Sequence, residues 1–169
     1  MKQNPKSQAG FTLIEVLVAT VILSLGLLGL AGMQTAAMRY NQSAYFRSQA
    51  VAVANDIIDR MRTNQTGTSG SYYDAITTND DAPADQGCSN AACTAAQVAS
   101  QDIREWTDHF SDVYGLGTAY TPTLPSGSSG TVTKNADTYA VTITWTEVET
   151  MYADDNTSPT KTLTINTVL

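Results

Sequence analysis

Side chains that commonly perform catalysis are sparse in this sequence. It has one histidine, His109, and it contains neither a glycine-rich phosphate loop after a strand nor a Gly-x-Ser-x-Gly motif. A surface position is favoured for His109 over a role as a metal ligand. Oxygen ligands could hold calcium at Asp80, Asp81 and Asp85, or at Asp154, Asp155 and Asn156. Neither stretch has the full spacing of a calcium loop, so solvated acidic turns are favoured. The sequence therefore predicts no enzyme activity, no cofactor and no metal site.

The two cysteines, Cys88 and Cys93, are a second candidate for covalent chemistry. They lie close together in a polar stretch of a chain that carries a membrane-insertion signal, which predicts a disulfide formed in an oxidising compartment. Two free thiols remain the alternative, and a metal site is disfavoured because there is no second cysteine pair. Since only four residues separate the cysteines, we expect the disulfide to fix a local excursion of the chain.

One carboxylate, Glu15, lies inside the most apolar part of the chain. Residues 11–33 contain no other charged side chain, and as a helix they would be about 34 Å long, enough to cross a hydrocarbon core of about 30 Å. A carboxylate costs about 2.5–3.5 kcal/mol near the bilayer centre and less near its edge. Two interpretations are open: Glu15 reaches water at the membrane edge, or it has a function.

The flanks of this segment indicate how it inserts. Residues 1–10 are polar and carry Lys2 and Lys6, which favour a cytoplasmic N terminus and export of the rest of the chain. The apolar stretch is longer than the core of an ordinary secretory signal, and no Ala-x-Ala cleavage site follows it. We therefore expect residues 11–33 to remain in the mature protein as a transmembrane helix.

The stretch Gly10–Val16, Gly-Phe-Thr-Leu-Ile-Glu-Val, resembles the N-terminal processing signal of type IV pilins and type II secretion pseudopilins. The resemblance implies that a prepilin peptidase cuts between Gly10 and Phe11, so that residues 1–10 are a leader peptide, and that it methylates the new amino group of Phe11. It also implies that Glu15 is an assembly residue. Its carboxylate would neutralise the terminal amine of a neighbouring subunit in the low-dielectric core of a filament.

Residues 15–19, 22–34, 55–64 and 124–132 resemble minor pilins that are described as type IV pilus modification proteins. That implies a structural subunit that joins or primes a pilus at or near its tip. The implied partners are the prepilin peptidase, other minor pilins, the major pilin and the inner-membrane assembly platform. The implied location is the inner membrane, with a periplasmic C-terminal domain, and then the pilus at the cell surface. A secretion pseudopilin and a filament-displayed adhesin or DNA-uptake subunit remain alternatives.

Periodicity predicts two helices beyond the apolar segment. Over residues 34–62, small or apolar side chains recur every three or four positions, which predicts an amphipathic continuation of the first helix. The predicted stripe is Ala37, Tyr40, Ala44, Val51, Ala54, Ile58 and Met61. Turn residues over 63–92 predict a long surface loop with a short ordered patch near 72–76. Thr94 predicts the N-cap of a second helix over about 94–112, with Trp106 and Phe110 facing the core.

The last part of the chain alternates with the period of a strand. Residues 131–134, 139–146 and 161–168 are rich in threonine and predict an antiparallel sheet with one solvated face. Pattern and resemblance agree on a type IV pilin-like α+β fold, in which a long N-terminal helix packs on a small antiparallel sheet with one extra short helix and a disulfide-pinned loop. The predicted globular domain, residues 63–169, carries three basic and thirteen acidic side chains. Such an acidic domain repels phosphate, so we expect no nucleic-acid binding.

Overall fold

The computed structural model describes residues 10–147 and 159–169, and it divides the chain into two units. The first unit ends at Gln42 and the second is Ser43–Leu169. Helix α1 contributes to both units. The elements in chain order are α1 (Leu13–Thr63), α2 (Gln65–Ser69), β1 (Ala75–Thr77), α3 (Ala95–Thr107), a 3₁₀ turn (Gly117–Ala119), β2 (Ser129–Asn135), β3 (Thr138–Thr146) and β4 (Thr160–Val168). Residues 1–9 of the predicted leader and the acidic stretch 154–156 lie outside the described residues.

The first unit exposes its apolar side chains. Among the described residues, α1 is the one helix long and apolar enough to cross a membrane, judged by length and composition, and its most apolar stretch is not buried by the rest of the chain. Leu17, Leu23 and Leu28 are each more than half exposed. A contiguous apolar surface of this kind indicates a bilayer or a protein partner.

The second unit contains a four-stranded antiparallel sheet in the order β1-β2-β3-β4. The three predicted strands are present, and β3 pairs with β4 along all nine residues of each. Tyr139, Val141, Ile143 and Trp145 are buried on one face, as their alternation predicts. The threonines between them point to the other face.

The predicted surface loop over residues 63–92 contains two short elements: α2, which was not predicted, and the edge strand β1, which overlaps the ordered patch predicted near 72–76. The five residues of α2 are too few to show helical periodicity, and the helix forms where the Asn64 side chain accepts a hydrogen bond from the Gly67 N–H (3.1 Å). Strand β1 has three residues, and tertiary pairing with β2 determines its conformation.

The C-terminal part of α1 and the covered face of the sheet form one hydrophobic core. The buried face of α1 consists of Ala50, Val53, Ala54, Ile57, Ile58 and Met61. The predicted stripe is correct for Ala54, Ile58 and Met61 and wrong for Val51, which is 37% exposed, and for the members before it. At about 100° per residue, Val51 lies about 120° around the helix from Ile57 and so falls at the edge of the covered face.

Helix α3 begins at the predicted N-cap and ends earlier than predicted. Thr94 and Gln97 form a capping box, but the helix stops at Thr107 rather than near 112. In a longer helix, the carbonyl groups of Asp108 and His109 would accept hydrogen bonds from backbone N–H groups further along the helix. Here they accept tertiary hydrogen bonds instead, from the Tyr120 hydroxyl to Asp108 (2.6 Å) and from the Thr123 N–H to His109 (3.1 Å). Trp106 is fully buried, and its indole N–H donates to the Val53 carbonyl in α1 (2.9 Å).

Candidate assembly site

The predicted processing site lies in exposed chain immediately before α1. Gly10 and Phe11 are exposed, with 83% of the Phe11 surface accessible. The Thr12 carbonyl accepts the N–H groups of Glu15 (3.1 Å) and Val16 (3.3 Å), which begins the helical hydrogen bonding. The bond between residues 10 and 11 therefore lies in non-helical backbone, one turn ahead of the acid.

Glu15 lies in the first turn of α1, where the helix dipole favours a negative charge. Its side chain is exposed. Within the described residues of the first unit the one basic side chain is Arg39, 24 positions further along the helix, which corresponds to about 36 Å. Among the described residues of the first unit, no basic side chain therefore lies close enough to pair with the Glu15 carboxylate.

In the second unit, a cluster of charged side chains fastens α3 to α1. The Arg60 guanidinium contacts Asp56 on its own helix (Nε–Oδ2 3.0 Å) and two acids of α3, Glu105 (Nη1–Oε2 2.6 Å) and Asp102 (Nη1–Oδ1 3.4 Å). The Tyr73 hydroxyl donates to the other oxygen of Asp102. The Arg60 side chain is 27% exposed and that of Asp102 is 13% exposed, so solvent screens this Arg60 cluster only in part.

The pKa shifts within the Arg60 cluster follow burial and pairing. Burial lowers the pKa of the Arg60 guanidinium, but the hydrogen bonds and charges of Glu105 and Asp56 outweigh it and raise the pKa overall. Burial, followed by the hydrogen bond to Asp102, raises the pKa of the Tyr73 hydroxyl. Burial raises the pKa of Asp102 above its usual value despite Tyr73 and Arg60, whereas the Arg60 hydrogen bond lowers that of Glu105 against the effect of burial.

His109 lies at the margin of the Arg60 cluster rather than on open surface. Its Nε2 is 3.5 Å from Asp56 Oδ2, and its Nδ1 is 3.0 Å from the Thr123 hydroxyl. An acid, a histidine and a hydroxyl in line form the arrangement that activates a nucleophile in hydrolases. Here the same Asp56 oxygen also accepts the Arg60 Nε hydrogen bond, so we interpret the three residues as a structural link between α1 and the segment after α3.

A disulfide joins Cys88 to Cys93, as the sequence predicts (S–S 2.04 Å). The loop around it is held to α3 by two side chains of that helix. Gln101 accepts the Gln86 N–H (2.9 Å), and Arg104 donates to the Pro83 carbonyl (2.9 Å). The disulfide thus closes a small loop on the outside of α3. No group of three or more metal-ligating side chains is present in the part of the chain that the structure describes.

Of the predicted residues, the structure places Gly10, Phe11 and Glu15 together at the start of α1, while the cysteines lie in the other unit. Sequence reasoning missed the Arg60 cluster. The four-residue spacing of Asp56 and Arg60 is a detectable signal for an ion pair on one helix. The link to Asp102 and Glu105, which are more than 40 residues away, is not visible in the sequence.

A helix with an exposed apolar N-terminal part, a processing motif at its start and a small α+β domain define a pilin-like subunit. Residues 5–31 match the prokaryotic N-terminal methylation motif, and residues 32–104 match a family model described as type IV pilin Tt1218. Searches of curated proteins and of solved structures return no significant match. These two matches support a type IV pilin family for the chain.

Type IV pilins are structural subunits rather than enzymes. The methylation motif implies processing by a prepilin peptidase and assembly of pilin with pilin. The apolar helix and the motif together fit a protein that is anchored in a membrane by its N-terminal helix and has a C-terminal domain.

Proposed function

We propose that this protein is a minor pilin of a type IV pilus, a structural subunit that joins or primes filament assembly at or near the tip. The observation that carries this proposal is Glu15. It is a single acid in the first turn of an apolar helix that the rest of the chain leaves uncovered, and it comes four residues after the predicted new terminus at Phe11.

Cleavage between Gly10 and Phe11 creates a methylated amine, which is a cation beside the apolar helix. In a filament this cation approaches the Glu15 carboxylate of a neighbouring subunit. A pair of unit charges about 4 Å apart contributes about 4 kcal/mol at an effective dielectric constant near 20, against about 1 kcal/mol in water. Leaving either charge unpaired in the filament core is penalised, so the pairing favours correctly seated subunits.

The proposed topology has the N terminus in the cytoplasm and the second unit in the periplasm. Lys2 and Lys6 on the N-terminal flank support that orientation, and the Cys88–Cys93 disulfide suits an oxidising compartment. The partners would be the prepilin peptidase, other minor pilins, the major pilin and the inner-membrane assembly platform. The acidic second unit gives no support to a nucleic-acid ligand.

Deletion of the gene separates a pilus subunit from a pseudopilin of a type II secretion system. Loss of surface pili with normal secretion of enzymes supports the proposal, whereas normal pili with defective secretion would overturn it.

The role of Glu15 is tested by Glu15→Ala, with Ser24→Ala as a matched control in the same apolar helix. The Ser24 hydroxyl bonds the Val21 carbonyl of its own helix (2.8 Å) and carries no charge. We expect both variants to insert in the membrane, since Glu15→Ala removes a charge, which favours insertion, and Ser24→Ala adds none. Incorporation of Glu15→Ala into filaments should fall at least about tenfold, because the lost pairing exceeds about 1.4 kcal/mol. Equal incorporation of the two variants would reject the charge-pairing role.

A further inference from the structure

The two edges of the sheet are built differently. Strand β1 forms one edge with only three residues, Ala75–Thr77. Strand β4 forms the other edge with nine residues, and its pairing with β3 continues from Thr160 to Val168 without a bulge. Among the residues that the structure describes, no strand pairs with the outer side of β4.

Most of strand β4 lacks the features that usually protect an edge. The strand contains no proline, and its one charged side chain is Lys161 near its start, so that Thr162 to Val168 carry none. In an antiparallel strand, alternate residues direct their N–H and C=O groups away from the neighbour already paired. A long, regular edge with such groups available is a template for another strand, and proteins normally block it with charges, prolines, bulges or short length.

The hydrophobic core is also incomplete beside β4. On β3, Val141 and Ile143 are fully buried, but their register partners on β4, Ile165 and Leu163, are only partly buried at the margin of the core. Phe46 of α1 is likewise partly buried against the core. One more strand beside β4, with apolar side chains on this face, would cover the margin and bury further apolar area.

We propose that the outer edge of β4, which pairs with no other strand among the described residues, accepts an extended segment of a neighbouring filament subunit as a fifth strand. This inference rests on the proposed function, because it takes the neighbour to be a pilin of the same filament. The segment that fits has apolar side chains on alternate positions for the core face. Its other side chains are small and uncharged, since the opposite face of the sheet carries the row Thr77, Thr131, Thr142 and Thr164. Main-chain hydrogen bonds supply the affinity and the apolar positions supply the specificity.

Hydrogen exchange with mass spectrometry tests the strand addition on the full chain. Exchange is compared between the chain isolated in detergent and the chain in purified filaments, with β3 as the internal reference because its two sides are both paired. In the isolated chain, about half of the β4 amides should exchange faster than those of β3. In filaments these β4 amides should slow at least about tenfold, while β1 stays unchanged.

Photo-crosslinking identifies the neighbour. A photoreactive amino acid at Thr164 is compared with the same replacement at Thr77, which lies in the same cross-strand row at the opposite edge of the sheet. We expect Thr164 to capture a peptide of another subunit and Thr77 to capture none.

Two hydrogen-exchange results would overturn strand addition: β4 amides that exchange at the same rate in the isolated chain and in filaments, or β4 amides that are already as slow as those of β3 in the isolated chain. Crosslinking at Thr164 without protection of the β4 amides would overturn it as well, because the neighbour would then dock through side chains. The proposed function can fail separately. A chain absent from pili whose β4 becomes protected in another assembly supports the inference and rejects the pilus role. A chain present in pili with unprotected β4 rejects the inference alone.

Discussion

Replacing Arg60 by methionine removes the guanidinium that Asp56, Asp102 and Glu105 share between α1 and α3. Methionine keeps an unbranched apolar stem of similar length, so most of the packing of the side chain is retained. The variant then tests the charge alone. Arg62→Met is the matched control, because Arg62 lies two residues further along the same helix, where it is 56% exposed.

The expected loss follows from the burial of the partners. Exposed ion pairs contribute about 0–1 kcal/mol, and breaking a fully buried pair costs about 3–5 kcal/mol because a charge is left without a partner. The Arg60 cluster lies between these limits, since Arg60 is 27% exposed and Asp102 13%. We therefore expect Arg60→Met to lower the free energy of unfolding by about 2–3 kcal/mol, which is a decrease in Tm of about 5–10 °C for a chain of this size. For Arg62→Met, whose partner Asp59 is 70% exposed, we expect less than about 1 kcal/mol.

Thermal unfolding of the full chain in detergent, followed by near-ultraviolet circular dichroism, measures both variants. Trp106 reports on the interface because it is buried at the end of α3 with its indole bonded to α1. Combining Arg60→Met with Asp102→Asn should recover part of the loss, since the uncompensated carboxylate is then neutral. Equal Tm values for Arg60→Met and Arg62→Met would refute the idea that this cluster joins the two helices.

Two further substitutions test local features of the second unit. Replacing Cys88 and Cys93 by serine should cost no more than about 2 kcal/mol, because the disulfide closes a very small loop, and limited proteolysis should detect faster cleavage in that loop while global unfolding changes little. Gly130→Ala would place a Cβ 2.5 Å from the buried Trp106 ring, so we expect a loss of about 1–3 kcal/mol in chemical denaturation, whereas the exposed Thr133→Ala in the same strand should change stability by less than about 0.5 kcal/mol. Cleavage of the loop at an unchanged rate, or equal stability of the two strand variants, would contradict these accounts.

The sequence predicted the elements that depend on interactions between residues close together in the chain. Thr94 and Gln97 form a capping box that needs no tertiary contact. The alternation from Tyr139 to Trp145 predicted both a strand and its buried face. The resemblance at Gly10–Val16 predicted the family, which the match to the methylation motif supports independently of the fold.

Features determined by distant contacts could not be predicted in this way. The length of α3 depends on Tyr120 and Thr123, which take carbonyl groups beyond its end. The face of α1 that is buried depends on where the sheet lies. Val51 was predicted to be buried but is exposed, because periodicity gives the spacing of an apolar stripe but not the position of the surface that covers it. Strand β1 has too few residues to alternate and exists through its pairing with β2.

Mass spectrometry of the chain recovered from purified surface filaments tests the central claim most directly. The account predicts that the mature protein begins at Phe11, that its amino group carries one added methyl group, and that no peptide from residues 1–10 is present. A chain recovered from filaments with Met1 intact, or one found in the membrane but never in filaments, would contradict it.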